Sequence, residues 1–269
     1  DFLNRVGRQY AEITCVSASE VSTGKKLGNV IDEKEARLIQ FYSFWKPMKC
    51  PENLGELVID ETSPEVIARK ADYAISALGA DIAKIIEPEL TRRGIHVFSN
   101  ASAFRWHENV PLLIPEVNAK HICLVEKQQD KGKLVCNPNC TTAGYVPIIK
   151  ALEDLGYKIS SIDLTTEQAL SGKGDTIAEK AYAEKAIGNV RDDWVDETGF
   201  NSEEWKSSCE PMKILGRVKT RYDVGIEMKK IIAGEESIII PIFSQTSRVP
   251  IQYGHLERLT ITFSGRVNV

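Results

Sequence analysis

Nothing in this 269-residue chain is apolar for long enough to cross a bilayer. The longest such run, Ile238-Ile239-Ile240-Pro241-Ile242-Phe243, falls far short of the roughly 20 residues a membrane helix needs and reads as a buried strand. No secretory signal is visible in these residues either. The six cysteines (15, 50, 123, 136, 140 and 209) form no CxxC pair and are too sparse for a disulfide scaffold. Reduced thiols in a cytoplasmic protein are expected, with no metal site. Positive charge is not in excess: 34 Lys and Arg stand against 38 Asp and Glu, a net −4, which leaves no electrostatic footprint for nucleic acid. There is no internal repeat and no low-complexity tract. With 42% apolar and 27% charged residues, nothing calls for disorder either, and the length accommodates two compact units.

The first half alternates strand and helix patterns. Ile13 to Val16 predicts a strand, Asp72 to Leu78 a second, Ala80 to Arg93 an amphipathic helix and Ile95 to Asn100 a further strand. Strand, helix and strand at this spacing make a βαβ unit, hence a parallel sheet that binds ligands at the carboxyl ends of its strands. Two segments rich in small and hydroxyl residues follow strands, Ser17 to Lys26 and Ser76-Ala77-Leu78-Gly79. Both suit a phosphate-bearing cofactor, and both also suit a plain loop. From Cys140 onward the texture changes. Lys158 to Gln168 alternates like a long half-exposed strand, Glu236 to Gln245 and His255 to Phe263 add two more, and helical stretches cover Thr176 to Ala186 and Glu203 to Arg217. This pattern predicts a second domain of α+β type with one covered sheet face.

Cys140 closes Cys136-Asn137-Pro138-Asn139-Cys140 and opens a helical segment. The first backbone N–H groups of a helix are unpartnered and carry the positive end of its dipole, so a sulfur placed there is favoured as thiolate. A buried, uncharged cysteine is the competing reading. A nucleophile needs a proton-transfer partner, and the chain has four histidines. His96 falls in a strand, His107 in a polar loop and His121 in a helix, whereas His255 follows a glycine at the start of a strand.

Six ordered motifs, NPNCTTAGYV (137–146), SNASAFRWHENVPLLIPEVN (99–118), TTEQALSGKG (165–174), EEWK (203–206), EPMKILG (210–216) and RVPIQYGHLE (248–257), resemble aspartate-semialdehyde dehydrogenases, most closely their archaeal and fungal branch. The resemblance covers nearly the whole chain. It implies an α/β fold: a Rossmann-type NADP-binding domain over 1–139, and a catalytic and dimerisation domain of glyceraldehyde-3-phosphate dehydrogenase type over 140–269. It implies NADPH-dependent conversion of L-aspartyl 4-phosphate to aspartate 4-semialdehyde and phosphate, in amino-acid biosynthesis, by a homodimer or homotetramer.

On matching positions the resemblance makes Cys140 the nucleophile, His255 the general acid and base, and Gln168 the residue that positions the acyl group. Arg248 would grip the substrate α-carboxylate, Glu203 would face its amino group, and Lys206 and Arg105 would face its phosphate, with Asn139 beside them. The cofactor set is Ser17, Ser19, Ser22, Gly24, Lys25, Ser76, Leu78, Asn100, Ser171 and Gly172. As a bland alternative, Glu203 and Lys206, three apart on a helix, form a solvated ion pair, and Arg105 is a surface arginine.

Departures from the family pattern carry their own expectations. The chain has no GATGxVG-type turn before Asp1, and it stops at Val269 shortly after the His255 strand. It therefore reads as a fragment that binds NADPH poorly or not at all, an expectation that micromolar affinity in a cofactor titration contradicts. After Ser171-Gly172-Lys173-Gly174 the sequence leaves the family pattern, so the loop there is expected to differ in shape. The rivals are N-acetyl-glutamyl-phosphate reductase, whose cysteine motif reads closer to NPGCYPT, and malonyl-CoA reductase. Neither substrate has a free α-ammonium for Glu203 to meet. A non-catalytic paralogue predicts an eroded site, yet Cys140, Gln168, Arg248 and His255 are all present.

Overall fold

The computed structural model describes residues 12–41, 47, 49–169, 172, 190–191, 202–218, 226–227, 241–249, 251 and 253–265. The chain divides into two compact units. The first comprises Asp1–Ala74, Ile85–Val97 and Asp130–Lys133, the second Ile75–Lys84, Phe98–Gln129 and Leu134–Val269.

In the first unit, β1 (Ser17–Ala18) pairs in parallel with β2 (Asp60–Glu61). Helix α1 (Leu27–Phe41) and the short α2 (Glu52–Gly55) come between them, and α3 (Pro64–Ala68) follows, with its proline in the first turn where a missing N–H is harmless. The strand expected over Ile13 to Val16 is instead Ser17–Ala18. A strand needs ladder partners, and among the described residues Asp60 and Glu61 supply them; Val16 contributes a carbonyl, accepting from the Asp60 N–H at 2.8 Å.

Strand β3 (Tyr73–Ser76), helix α4 (Ala80–Arg92) and strand β4 (His96–Ser99) form the expected βαβ unit. Helix α5 (Pro115–Asn118) and a 3-10 helix (Ala119–Lys127) come next, and β5 (Leu134–Cys136) completes a three-stranded sheet of order β3-β4-β5. The His96 N–H donates to Asp72 O (3.0 Å) and the Asn100 N–H to Ser76 O (2.8 Å), advancing the same way along both strands, so β3 and β4 run parallel.

Beyond β5, Asn137-Pro138-Asn139 turns the chain into α6 (Cys140–Asp154). Thr141, Thr142, Tyr145, Val146 and Ile149 recur at helical spacing and are the buried face of α6. Gly156, at φ 88, ends the run: its N–H bonds Glu153 O and that of Tyr157 bonds Leu152 O, the paired closure that a left-handed residue permits.

Strand β6 (Ile159–Gln168) follows and is one of the two inner strands of a four-stranded mixed sheet of order β11-β6-β10-β7. The others are β7 (Val190–Arg191), β10 (Ile242–Arg248) and β11 (Leu256–Phe263). Ile162, Leu164, Thr166 and Gln168 alternate inward along β6, as its sequence pattern predicts. Strand β10 runs parallel to β6 in a register that ends on Arg248 opposite Gln168, and β11 runs antiparallel on the other side.

Helix α7 (Ser202–Ile214) lies between β7 and a small antiparallel pair, β8 (Arg217–Val218) with β9 (Ile226–Glu227). The helical pattern expected to reach Arg217 stops at Ile214, because Leu215 and Gly216 turn the chain into β8. The apolar run ending at Phe243 is not wholly buried: Ile242 faces inward and Phe243 outward, the alternation of a half-covered sheet. Residues 238–240 and the helix expected over 176–186 lie outside the described residues. No described helix is long and apolar enough to cross a membrane.

Candidate active site

Asn139 caps α6, its side chain accepting from the Thr141 N–H at 3.0 Å, and this puts Cys140 at the first helical position. All six cysteines are free thiols; Cys136 is buried, while Cys140 opens to solvent at a cavity. The buried, inert reading therefore fits Cys136. Two residues before β11 begins, Gly254 and His255 bring the imidazole to the sulfur, Nε2 to Sγ 3.0 Å. The other ring nitrogen settles the tautomer. Nδ1 accepts the backbone N–H of Ala169 at 3.0 Å, so a neutral ring carries its proton on Nε2 and points that donor at Cys140. Burial holds the His255 pKa below its ordinary value, helped by the Arg248 charge and opposed by Glu203.

The thiolate expected from helix position alone is corrected by its surroundings. Desolvation raises the Cys140 pKa, and the Glu203 carboxylate raises it further. The N–H groups of Thr141 and Cys140 and the Arg248 charge pull the other way but do not prevail.

Gln168 and Arg248 meet because β6 and β10 end in register. Gln168 is 1% exposed; its Nε2 donates to Thr141 Oγ1 (3.0 Å) and its Oε1 accepts from Arg248 Nη2 (2.9 Å). Arg248 Nη1 also donates to Ala169 O (2.6 Å). Arg248 is thus fixed beneath the site rather than on the cavity wall. Gly172 is what leaves it within reach: a Cβ there would sit 3.2 Å from Arg248 Nη1 and 3.5 Å from His255 Cε1.

The cavity in front of Cys140 has a volume of about 730 Å³, and Leu78, Asn100, Arg105, Asn137, Asn139, Gln168, Gly172, Glu203 and Lys206 are among its lining residues. Glu203 and Lys206 do form an ion pair, at 2.9 Å, but it lines this cavity and is not a solvated surface pair. Glu203 Oε2 also accepts from Asn139 Nδ2 at 2.7 Å. Arg105 is likewise no surface arginine: it is buried, donates to Glu210 Oε1 (2.9 Å) and Asn100 O (2.8 Å), and its Nε has no partner.

Of the predicted cofactor residues, Leu78, Asn100 and Gly172 line the Cys140 cavity, and Ser76 is buried one strand end away, its carbonyl accepting from Asn100 N–H. Ser17, Ser19, Ser22, Gly24 and Lys25 belong to the first unit, where they form β1 and the turn after it. That turn is closed by Ser22 N–H to Ser19 O (2.9 Å) and Gly24 N–H to Ile59 O (2.8 Å), with Gly24 at φ 82. Ser171 lies outside the described residues.

Sequence reasoning passed over three residues. Glu210, fully buried, accepts from Arg105 through Oε1 and from the Asn139 N–H through Oε2 (2.6 Å); burial raises its pKa and the Arg105 charge lowers it. Lys213, 1% exposed, donates to the carbonyls of Arg105, His107 and Val110 at 2.7, 2.8 and 2.8 Å, and burial lowers its pKa to about 8. Glu257 lines a second cavity of about 510 Å³ with Cys140 and His255, and desolvation alone raises it to about 7. Its signal was its place two residues after His255, on the same side of a strand. Of the remaining histidines, His121 is buried in the 3-10 helix between Asn118 and the Gly216 carbonyl, a structural placement.

The arrangement has a thiol with a directed imidazole donor, beside a cavity carrying a guanidinium, an ammonium and a carboxylate. It suits attack on an activated, anionic acyl group. The family described as "Semialdehyde dehydrogenase, NAD binding domain" matches residues 2–125. Aspartate-semialdehyde dehydrogenase of Archaeoglobus fulgidus is 33% identical over 265 residues, 97% of this chain and 66% of that protein. The Candida albicans enzyme is 31% identical over 95% of this chain and 65% of its own length. The chain thus spans just under two thirds of the length of these relatives. The crystal structure of the Candida albicans enzyme with NADP superimposes with a TM-score of 0.70 at 28% identity, covering 96% of this chain and 66% of that one. On motifs, fold and similarity together, the chain belongs to the aspartate-semialdehyde dehydrogenase family.

Proposed function

We propose that this protein reduces L-aspartyl 4-phosphate to L-aspartate 4-semialdehyde through a thioester on Cys140, releasing phosphate, with residues 1–139 serving NADPH and residues 140–269 the chemistry. The observation that carries this reading is the 3.0 Å approach of His255 Nε2 to Cys140 Sγ at a cavity that also holds Arg105 and Lys206.

In the first step the sulfur forms a bond to the acyl carbon while the carbon–oxygen bond to phosphate breaks, and phosphate leaves with the electron pair. Arg105 and Lys206, both lining the cavity, meet the phosphate charge. Glu203 meets the α-ammonium, which favours aspartyl phosphate over an acetylated substrate. Arg248 meets the α-carboxylate on the side that Gly172 leaves open. Cys140 gives its proton to solvent before the attack, and His255, donating its Nε2–H, supports the sulfur as thiolate and then the developing oxyanion; the Ala169 N–H on Nδ1 holds this tautomer. Gln168, held between Thr141 and Arg248, keeps the acyl group and the loop beneath it in place.

The residues present fit a dinucleotide: Gly172 leaves the His255 face clear of a side chain, and Leu78 and Asn100 line the same cavity. Ser19, Ser22, Gly24 and Lys25 would hold its phosphate groups through a turn rich in donors. When bound, NADPH supplies the hydride that converts the thioester to aldehyde, returning the sulfur as thiolate. A homodimer or homotetramer in the cytoplasm completes the proposal.

The test is phosphate-dependent reduction of NADP by aspartate semialdehyde, using the chain extended to the length of its relatives, with Cys140→Ala as control. Activity that disappears in the control is expected. A folded chain that is inactive with this substrate but active with acetylglutamate semialdehyde would overturn the choice of substrate.

A further inference from the structure

We propose that Glu210 is a positioning residue that holds the anion-binding wall and the nucleophile loop in a single geometry; this rests on the thioester reading above. The EPMKILG motif carries no role in that reading. On α7, Glu203, Lys206, Glu210 and Lys213 are spaced three, four and three apart, so they form one charged stripe along one side of the helix. Every member of the stripe is bonded. The first two make the cavity ion pair, and Lys213 gathers the carbonyls of Arg105, His107 and Val110.

Glu210 divides its two oxygens between the two halves of the site. Oε1 takes Arg105 Nη1 at 2.9 Å, and Oε2 takes the backbone N–H of Asn139 at 2.6 Å, the residue whose side chain caps the Cys140 helix. Arg105 and Asn139 line the cavity, whereas Glu210 does not, so it touches no substrate and acts from behind the wall. A fully buried carboxylate is tolerable only while such partners hold it, which ties the position of the phosphate-facing cation to that of the sulfur. Glutamine keeps the shape of this side chain but has one acceptor oxygen; its NH₂ must face either Arg105 or the Asn139 N–H, donor against donor.

The experiment measures how well inorganic phosphate protects Cys140 from iodoacetamide in the 269-residue chain. It compares the unmodified chain, Glu210→Gln, Arg105→Ala and the double variant, with Cys140→Ala subtracting alkylation at the other thiols and circular dichroism verifying the fold. This readout needs neither cofactor nor turnover. Phosphate should protect the unmodified chain. Glu210→Gln should weaken that protection about tenfold, the scale of one charge-assisted hydrogen bond, and should cause no further loss once Arg105 is alanine. Equal protection in Glu210→Gln and the unmodified chain, or the same fold-loss in both Arg105 backgrounds, would overturn the assignment while leaving the thioester reading intact. No protection of the unmodified chain would overturn the phosphate wall itself, and this inference with it. If Glu210→Gln does not fold, Glu210→Asp, which keeps the charge but shortens the reach, carries the same comparison with the same expected loss.

Discussion

At the scale of the residue, the reactivity of Cys140 is a balance between its helix and its neighbours. Two backbone N–H groups and Arg248 favour the thiolate, while desolvation and Glu203 oppose it. Glu203→Gln removes the opposing charge, so the pH midpoint for iodoacetamide alkylation of Cys140 should fall, and the rate at pH 7 should rise severalfold. An unchanged or raised midpoint would show that Glu203 does not reach the sulfur electrostatically. Cys140 and His255 were legible as candidates from a cysteine after Asn-Pro-Asn and a histidine after glycine, and their pairing was an expectation carried by the family resemblance. The direction of the imidazole proton was not, because it depends on the N–H of Ala169, a residue 86 positions from His255 in sequence.

At the scale of the element, α7 organises the site from one side. Its Glu-x-x-Lys pair was visible as local spacing, but the targets of Glu210 and Lys213 were not: their bonds to Arg105, Asn139 and the Arg105 carbonyl span 105, 71 and 108 residues. Periodicity shows which residues share a helix face and is silent about what that face meets. Lys213→Met should destabilise the protein by about 3 kcal/mol or more, since three buried carbonyls lose their donor together. Urea unfolding measures this; a loss under about 1 kcal/mol would mean that those carbonyls find other donors. The strands show a similar division. The alternation of β6 was legible along Lys158 to Gln168, whereas the end of β10 at Arg248, set by its pairing with β6, lay beyond the expected run.

At the scale of the whole molecule, the βαβ pattern and the change in texture after Cys140 foretold an α/β chain whose second half carries a sheet covered on one face; the choice between a mixed and an antiparallel sheet was left open, and the structure shows a mixed one. Sheet order was not foretold, because it arises from pairings between distant segments. Stability against pH reads the second unit as a whole. The Glu257 carboxyl, raised from 4.5 to about 7, keeps a proton in the folded chain that the unfolded chain has already lost. Its contribution is fully present below about 4.5 and declines as the pH rises to about 7. Glu257→Gln should therefore stabilise the protein at pH 8 by about 1 kcal/mol, after discounting for solvent screening at a partly exposed group, and leave it unchanged at pH 4. Thermal unfolding at the two pH values checks this, and a gain at pH 4 alone would reverse the sign. The claim on which the whole account turns is the covalent intermediate. Intact mass and peptide mapping after mixing the chain with L-aspartyl 4-phosphate, without cofactor, should show one acyl adduct, located on Cys140 and matched by released phosphate. Phosphate release without an adduct, or an adduct carried by another cysteine and kept in Cys140→Ala, would contradict it.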